Sequence, residues 1–552
     1  MRRLQFLFLH MPKLKFINFF YCCFLLFVCS TQLYAQEPIP AQGGDSVRTI
    51  QIVQGKKLRE KTIDSVTTVE TISGNVILIE GQTTFYCDSA VINRRTNIVE
   101  AFGHIHINQS DSIHTYAQYL KYIGNDRVAY LKKDVKLTDN KGILTTQDLE
   151  YDLKTSIAKY SNGGKVINGK TILTSRDGIY YSETKDVYFK NNVHLVDPRY
   201  DIKNDTLRYN TETQIGSWNT PTVIKSEKAG DIYSTLGTYD LKNGKALFGN
   251  RTVIKDSTRT YVADNSNYDE KTGIAQLDGN AVIRDSSNGY TILGNQLILD
   301  KNDNSFLATR KPLLIFKGEG NDSTFIAADT LFSGVTKKDT ASKVGRVKVD
   351  TIKNTMAIDA SKDTAIRYFQ AYHHVRIFND SVQSVCDSLF YSSEDSVFRL
   401  YQNPLVFSSK SQITGDTIYM YTQNKKAKRV FVFENAMITN KLNEQMYNQV
   451  GGRTINGYFK NGEFDYMRVK GSPAESIFYP QDDDSAFVGM NRSKGDVIDI
   501  YFVNKEVNKV KFINQVDGTM YPIRQIPDEV KHLKNFLWQD SKRQKTRFKL
   551  FE

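Results

Sequence analysis

Residues 74–93 read GNVILIEGQTTFYCDSAVIN, and they contain the two elements from which most of the chain is built. The first element, Gly74–Leu78, is a turn followed by a short apolar strand. The second, Asp88–Asn93, places an aspartate before another short apolar run. Apolar and polar residues alternate in both elements, which is the period of a β-strand with one buried face. The stretch predicts an all-β fold with turns at glycine, asparagine and aspartate.

The first element recurs along nearly the whole chain. The residue before the strand falls at 75, 104, 134, 192, 250 and 280, which gives steps of 29, 30, 58, 58 and 30. A step near 30 residues is typical of stacked repeats, and the two long steps each skip one copy. Further copies begin at His374, Asn403 and Asn435. One repeat cannot bury its apolar face alone, so we expect an elongated array in which copies stack.

The second element also recurs, and each copy carries an aspartate. Copies of it begin at Asp148, Asp177, Asp205, Asp264, Asp387 and Asp416. An aspartate present in nearly every repeat belongs to the scaffold, because catalysis needs a unique constellation. We interpret it as a turn residue whose side chain bonds its own backbone.

The N-terminus has the pattern of a secretory signal. Arg2, Arg3, Lys13 and Lys15 precede an apolar run, FINFFYCCFLLFVC, that is short for a membrane span. A small residue, Ala35, precedes the expected cleavage before Gln36. We therefore predict a signal peptide over residues 1–35 and an exported mature chain. A retained membrane anchor is the alternative, and Cys29 is a poor lipoprotein site because Val28 is not small.

Composition narrows the classes of partner. Removing the four signal-peptide cations lowers the formal charge from +12 to +8. This suits an anionic lipid or polysaccharide, whereas nucleic acid is disfavoured because no dense basic patch is interleaved with aromatics. The mature chain keeps only Cys87 and Cys386, at equivalent repeat positions. Stacked repeats hold such positions too far apart for a disulfide, so we predict two small core residues.

No catalytic or cofactor motif is present, and we predict that the chain is not an enzyme. His104 and His106 are two apart on a strand and share a face, with His114 nearby, which allows a metal site if a third ligand approaches. We prefer the simpler interpretation that the three histidines lie on the polar faces of their strands and bind no metal. His373 and His374 point to opposite faces, which is poor for ligation.

Two segments break the repeat. Residues 333–366 have no aromatic side chain and are rich in lysine, aspartate, serine and threonine, so we predict a flexible insertion between two blocks of repeats. Residues 527–539 predict the only helix, with Pro527 at its first position and Val530, Leu533, Phe536 and Leu537 on one face. The expected domain order is a lead-in, repeats, insertion, repeats and a capping helix with a basic tail, at 36–67, 68–332, 333–366, 367–524 and 525–552.

The repeated pattern of Gly-Asn-Val-x-Leu, a turn and Asp-x-Leu-x-Tyr-Asn-x-x-Thr resembles the OstA-like (organic solvent tolerance) family. That family includes the LptA-like lipopolysaccharide-transport proteins and the N-terminal periplasmic domain of LptD. The best matches are Gly74-Asn75-Val76, residues 279–282 and residues 205–210, and the resemblance covers roughly Thr68 to Ile438. It implies an open β-jellyroll, in which two sheets form a V-shaped trough for acyl chains. The chain departs from small members in its many repeats and its insertion, and it leaves no room for an outer-membrane barrel.

The resemblance implies a protein that is either free in the periplasm or associated there with the outer membrane. It would bind lipopolysaccharide through lipid A, as a carrier or bridge in outer-membrane assembly. Its partners would be an outer-membrane barrel translocon and other β-jellyroll bridge components, joined through edge strands. The candidate trough residues are Val76, Leu78, Ile105, Ile107, Val135, Leu137, Val193, Leu195, Val253, Val282, Val375 and Ile377. Alternation shows which face is inward but not whether it is filled, so a dry core is an equal interpretation. The alternative function is a structural or polysaccharide-binding β-solenoid of the envelope, and a β-helix enzyme is disfavoured because no unique acidic cluster exists.

Overall fold

The computed structural model describes most of the chain after the predicted signal. The described residues are 49–64, 66–226, 230–317, 323–336, 366–423, 426–460, 463–503 and 506–551. They form forty antiparallel β-strands and three short 3-10 helices, so the all-β prediction is confirmed. No helix in these ranges is long and apolar enough to cross a bilayer. The predicted signal peptide, 1–35, lies outside the described residues.

Most strands follow one another with short turns. The first twenty are β1 Gln51–Gln54, β2 Lys57–Asp64, β3 Thr67–Glu80, β4 Thr83–Asn93, β5 Ile98–Gln109, β6 Ile113–Ile123, β7 Val128–Thr138, β8 Ile143–Asp152, β9 Ile157–Tyr160, β10 Gly164–Asn168, β11 Thr171–Ser175, β12 Asp177–Tyr181, β13 Asp186–Asp197, β14 Tyr200–Asn210, β15 Ile215–Trp218, β16 Thr222–Ser226, β17 Gly230–Ser234, β18 Leu236–Asp240, β19 Lys245–Gly249 and β20 Thr252–Lys255. The others are β21 Arg259–Ala263, β22 Asn265–Asp269, β23 Ile274–Asp285, β24 Tyr290–Asp300, β25 Ser305–Thr309, β26 Leu313–Lys317, β27 Ser323–Ala327, β28 Thr330–Thr336, β29 Ile366–Phe378, β30 Val382–Ser392, β31 Val397–Tyr401, β32 Leu405–Ser408, β33 Ser411–Thr414, β34 Thr417–Gln423, β35 Lys426–Lys441, β36 Tyr447–Lys460, β37 Glu463–Phe478, β38 Gly489–Val503, β39 Glu506–Ile513 and β40 Asp517–Pro522.

The long strands belong to two ladders at once. In β3, residues 69–73 pair with residues 89–93 of β4, and residues 76–80 pair with residues 83–87. Gly74 and Asn75 between these halves are unpaired, so the strand changes ladder at a bulge. Where a strand is interrupted, its halves are separate short strands, such as β15 and β16, which pair with opposite halves of β14.

Both ladders run in chain order along the array. We call the first ladder the one that begins at β2 and ends at β39, and the second the one that begins at β1 and ends at β40. Apolar residues of both ladders share the same cores, for example Val76 of the second with Leu120 of the first. Each ladder therefore has an inward face toward the other ladder and an outward face.

The bulges form a line of corners where the ladders meet. At most corners two successive residues have positive φ, such as Gly103 (75°) and His104 (41°), or Asn191 (61°) and Asn192 (57°). Glycine, asparagine and aspartate tolerate this conformation best, which explains the Gly-Asn signature. At Gly103 an added Cβ would also stand 2.3 Å from an Asp88 oxygen.

The recurring aspartates lie at these corners, and their predicted bonding was wrong. Asp177 accepts a hydrogen bond from the Asn191 side chain at 2.6 Å, and Asp88 bonds the His104 ring at 2.8 Å. They tie one corner to the next strand instead of bonding their own backbone. Their scaffold role stands, but it links neighbouring strands across the bulge, where backbone pairing is interrupted.

The predicted insertion boundaries were too wide. Residues 333–336 belong to β28 and Ile366 begins β29, and these two strands pair with each other. Ser333 is buried and donates a hydrogen bond to the Tyr368 carbonyl at 2.9 Å. The array therefore continues across the insertion, and residues 337–365 lie outside the described residues. Cys87 and Cys386 are free and buried as predicted, and burial raises the pKa of each thiol to about 12.

The predicted C-terminal helix was wrong. The only helical segments there are 3-10 turns at Asp528–Val530, Asp540–Lys542 and Arg547–Phe551. Residues 523–551, which we call the strap, cross the outward face of the second ladder. Val530, Leu533 and Phe536 do pack together, but against Met437, Ile477 and Met490 of the strands, whereas Leu537 is 59 % exposed.

Buried glutamines of the strands hold the strap. Gln449 donates to the Lys531 carbonyl at 2.9 Å and accepts from the Leu533 amide at 2.8 Å. Gln412 makes the same two contacts with Leu537 and Gln539. These bonds satisfy backbone groups that a helix would have paired internally, so the strap stays extended.

Candidate functional site

The inward faces of the ladders hold most of the predicted trough residues. Those of the first repeats, from Val76 to Leu195 in the predicted set, are at most 3 % exposed, and Val375 is fully buried. Ile377 is half-buried on the same face. Val253 and Val282 do not join them: they lie on the outward face, while their neighbours Ile254 and Ile283 point inward.

The position of the corner explains why Val253 and Val282 were wrongly predicted to point inward. The first inward residue is the one that directly follows the positive-φ pair, as Val76 follows Gly74 and Asn75. After Gly279 and Asn280 that residue is Ala281, so Val282 points outward. Position relative to the corner, and not hydrophobicity, decides the face.

A column of inward tyrosines closes the interior in the first half of the array. Its members recur every 29 or 30 residues on the first ladder, and they are Tyr122, Tyr151, Tyr180, Tyr209, Tyr239 and Tyr268. Tyr122, Tyr151 and Tyr180 reach across to the second ladder at the rim, which is the side of the array away from the corners. Their hydroxyls donate to Glu80, Gln109 and Asp139, respectively. We call residues 51–249 the closed section.

The sequence pattern contains this column, although it was not recognised. Each tyrosine precedes a turn, and Tyr122, Tyr151 and Tyr209 each follow an inward leucine by two residues. Burial raises the pKa of Tyr151 to about 12, so its hydroxyl stays protonated and can donate. Glu80 is only 2 % exposed, so the interior offers its carboxylate little water in place of the Tyr122 bond.

We expect Tyr180→Phe to lower the free energy of unfolding by about 1–3 kcal/mol, because it removes a 2.5 Å hydrogen bond to the buried Asp139 carboxylate. Tyr209→Phe is the matched control, since its equally buried hydroxyl has no hydrogen-bond partner among the described residues. Urea unfolding followed by circular dichroism measures both variants. Equal losses would contradict a closing role for the tyrosine bonds.

A cavity of about 240 Å³ lies where the tyrosine column ends. Its walls are apolar side chains of both ladders, including Ile232, Phe248, Leu277 and Leu299. The column position after Tyr268 is Leu299, which has no hydroxyl to bridge the rim. The cavity is slightly smaller than a site for a drug-sized ligand, about 300–1,000 Å³, and suits part of an acyl chain.

Polar groups mark the mouth and one wall of this cavity. Arg259 is the first residue of β21 in the second ladder, and Lys301 lies in the turn after β24 in the first ladder. Ser266 is 6 % exposed, and its hydroxyl has no hydrogen-bond partner in the described residues. A buried unpaired hydroxyl costs free energy, which a polar group of a ligand can recover.

Arg259 is held by the buried Asp285, whose oxygen accepts from the guanidinium at 2.8 Å. Burial alone raises the pKa of the Asp285 carboxyl, but hydrogen bonds from Ser287, Asn288 and Arg259 outweigh it and lower the pKa. This carboxylate therefore stabilises the fold fully above its unfolded-state pKa, about 3.9, and the contribution is lost as the pH falls through the folded-state pKa.

We expect Asp285→Asn to destabilise the chain at pH 7, and the difference from wild type should shrink as the pH falls below about 4. Unfolding by urea at a series of pH values measures this difference. A difference that is the same at pH 7 and pH 3 would contradict the assigned role.

Beyond the cavity the interior is less well covered. Only three half-buried apolar side chains flank the core of the first half, whereas sixteen flank the core that spans residues 263–500, counted over the described residues. Those of the second group include Ile377, Phe398 and Met420, with Phe459 and Phe464 near the rim. The Tyr391 ring lies 4.4 Å from the Phe398 ring at an interplanar angle of 32°, and among the described residues it makes no hydrogen bond to the second ladder. We call residues 366–513 the open section.

The histidines do not form a metal centre. His106 contacts His114 at 3.1 Å, while His104 lies at the corner with Asp88. His373 and His374 bond different carboxylates, Asp387 and Asp329. Over the described parts of the chain, no three histidine, cysteine or acidic side chains are grouped to hold a metal.

Comparison with known proteins identifies the first part of the array. The family model described as OstA-like protein matches residues 48–205. Residues 48–205 are thus similar to OstA-like proteins. The resemblance noted in the sequence is thereby confirmed over this region. Among curated proteins, none matches the chain.

The OstA-like match covers most of the closed section. OstA-like domains are in general periplasmic, of the lipopolysaccharide-transport type, and they bind or transport lipid instead of catalysing reactions. The open section and most of the cavity lining lie beyond the matched residues, and only Tyr200 and Ile202 of the lining fall within them. The part of the chain that the family identifies is thus the part whose interior the tyrosines close.

Proposed function

We propose that this protein binds the acyl chains of lipopolysaccharide in the space between its ladders and bridges a step of outer-membrane assembly. The carrying observation is the change from a closed interior to an apolar, half-covered one at residues 200–305. In this proposal the ladders form the V-shaped trough of an open β-jellyroll. Lipid occupies the cavity and the open section, while the closed section before the cavity, residues 51–199, is a filled core.

The ends of the array support docking to partners. At one end β1 and β2 expose apolar side chains such as Leu58 (62 %), and at the other β39 and β40 expose Val507 and Met520. Terminal strands leave unpaired N–H and C=O groups, which invite a strand from another protein. We propose that other β-jellyroll components or an outer-membrane barrel pair there.

Site-specific photo-crosslinking in cells tests the lipid site. A benzophenone side chain in place of Phe398 should crosslink to lipopolysaccharide, because this position is half-buried in the open section. The same side chain at Ile105, which is 1 % exposed beneath the tyrosine column, is the control and should give none. Equal crosslinking at both positions, or none at Phe398, would contradict the proposal.

The proposal also requires that the array of strands is elongated. Neighbouring strands stack about 4.8 Å apart, and many strands follow one another in each ladder, so we expect a length on the order of 100 Å. Small-angle scattering of the purified periplasmic form measures it. A profile that fits a compact sphere would be incompatible with a bridge.

A further inference from the structure

The outward face of the first ladder changes character along the array. In the closed section one of its outward rows carries charges of both signs, namely Glu100, Lys121, Tyr130, Glu150 and Lys159. Oppositely charged neighbours there satisfy one another, for example Lys159 and Glu150 at 3.7 Å. This is an ordinary solvated face.

The same positions of the open section carry aromatic and cationic side chains. The three adjacent outward rows, read across β28 to β39, include Phe332, Tyr368, Tyr372, Phe390, Arg399, Tyr401, Tyr419, Tyr421, Arg429, Phe431, Phe433, Tyr458, Tyr466, Arg468, Lys470, Tyr501, Lys509 and Lys511. We call this surface the aromatic lattice. The repeat sets only which positions point outward, so the change in residue type needs another cause.

The lattice is preorganised by contacts among its own side chains. The Arg399 guanidinium lies 5.5 Å from the Phe390 ring and 5.3 Å from the Tyr419 ring. Arg429 lies over Tyr421 at 4.9 Å and over Tyr458 at 5.7 Å. Cations held over rings lose little freedom when they meet a ligand.

The lattice has an excess of positive charge. Its three rows hold six lysines and arginines. Two of these cations are paired among the described residues: Arg468 with the buried Asp499 of the same rows, and Arg399 with Asp395 in the neighbouring turn. Arg429 hydrogen-bonds Asn456 at 2.6 Å, and no carboxylate in the described residues pairs with it. An anionic partner would complement this face.

The geometry favours a glycan over a folded protein. Rings such as Tyr458 and Tyr466 stack along the row at 5.9 Å, so the sheet presents ring edges, hydroxyls and guanidinium groups. The rows mix aromatic and cationic side chains throughout, whereas protein interfaces are anchored by a central apolar cluster. Its side chains repeat with the strand spacing, about 4.8 Å, which suits a polymer of sugar rings that repeats on a similar scale.

We propose that the aromatic lattice binds an acidic polysaccharide. This site lies on the opposite face of the sheet from the lipid space, so it stands or falls independently of the proposed function. Arginine and lysine would pair with the carboxylates or phosphates of the polymer, and tyrosine edges and hydroxyls would contact the sugars.

Binding of purified full-length mature protein to polygalacturonate, with neutral dextran as control, tests this. We expect binding to polygalacturonate that weakens as salt rises, because the contacts are ionic, and no binding to dextran. The double variant Arg429→Gln, Tyr458→Ser should bind at least about tenfold more weakly. Circular dichroism confirms that each variant is folded.

The matched control is Lys121→Gln with Tyr130→Ser, a cation and tyrosine that are also register partners on the outward face of the first ladder. Tyr130 and Tyr458 are equally exposed, at 38 % and 39 %. The control should bind like wild type. An equal loss in the control, equal binding of dextran, or binding of a poly-glutamate peptide but not of polygalacturonate would overturn the proposal.

Discussion

Val193→Asp is expected to unfold the closed section. Val193 is 2 % exposed on the inward face and has no cation beside it that could pair with a new carboxylate among its core neighbours. An unpaired charge buried there costs roughly 3–5 kcal/mol, a large fraction of the stability of a domain. Urea unfolding and the yield of intact protein from the envelope fraction measure the loss.

Val282→Asp is the matched control for this variant. Both valines were predicted from the same repeat pattern to point inward, but Val282 lies half-buried on the outward face. Its aspartate can reach water, so the stability should change by less than about 1 kcal/mol. If Val282→Asp unfolds the protein and Val193→Asp does not, the faces have been assigned the wrong way round.

Gln449→Ala is expected to release the first part of the strap. The side chain is fully buried and bonds both the Lys531 carbonyl and the Leu533 amide. Its loss leaves these backbone groups without partners, at about 1–3 kcal/mol each. Hydrogen exchange of residues 523–539 should accelerate, whereas exchange in the closed section should not change.

Gln525→Ala is the control for the strap, because Gln525 is exposed within the same segment. It should leave the exchange of residues 523–539 as in wild type. If both glutamine variants accelerate exchange equally, the strap is held by its apolar contacts with Met437, Ile477 and Met490, and the glutamine bonds are secondary.

The helix prediction shows one limit of local pattern. Val530, Leu533 and Phe536 have helical spacing, and they do share a buried side. An extended strap can bury the same residues when a sheet supplies hydrogen bonds to its backbone. Those bonds come from Gln449 and Gln412, about 80 and 125 residues earlier, and no local rule detects partners at that distance.

The trough prediction shows another limit. Period two gave the right face for Val76, Ile105, Val135 and Val193, where the corner ends directly before the named residue. It failed at Val282, because Ala281 occupies the first inward position. A corner of positive-φ residues resets the alternation, and the most hydrophobic residue is a poor marker of where it restarts.

By itself, the sequence determined that the chain is all-β, that its strands recur in steps near 30 residues, and that Cys87 and Cys386 are separate core residues. These properties follow from alternation and spacing within one repeat. Only the tertiary structure decided which part of the interior is closed and which is open. The reason is that closure depends on pairs such as Tyr151 with Gln109 and Tyr180 with Asp139, about 42 residues apart. Such pairs meet only after the ladders fold toward each other at the corners, and a hydroxyl at the rim closes the interior only where the opposite ladder offers an acceptor.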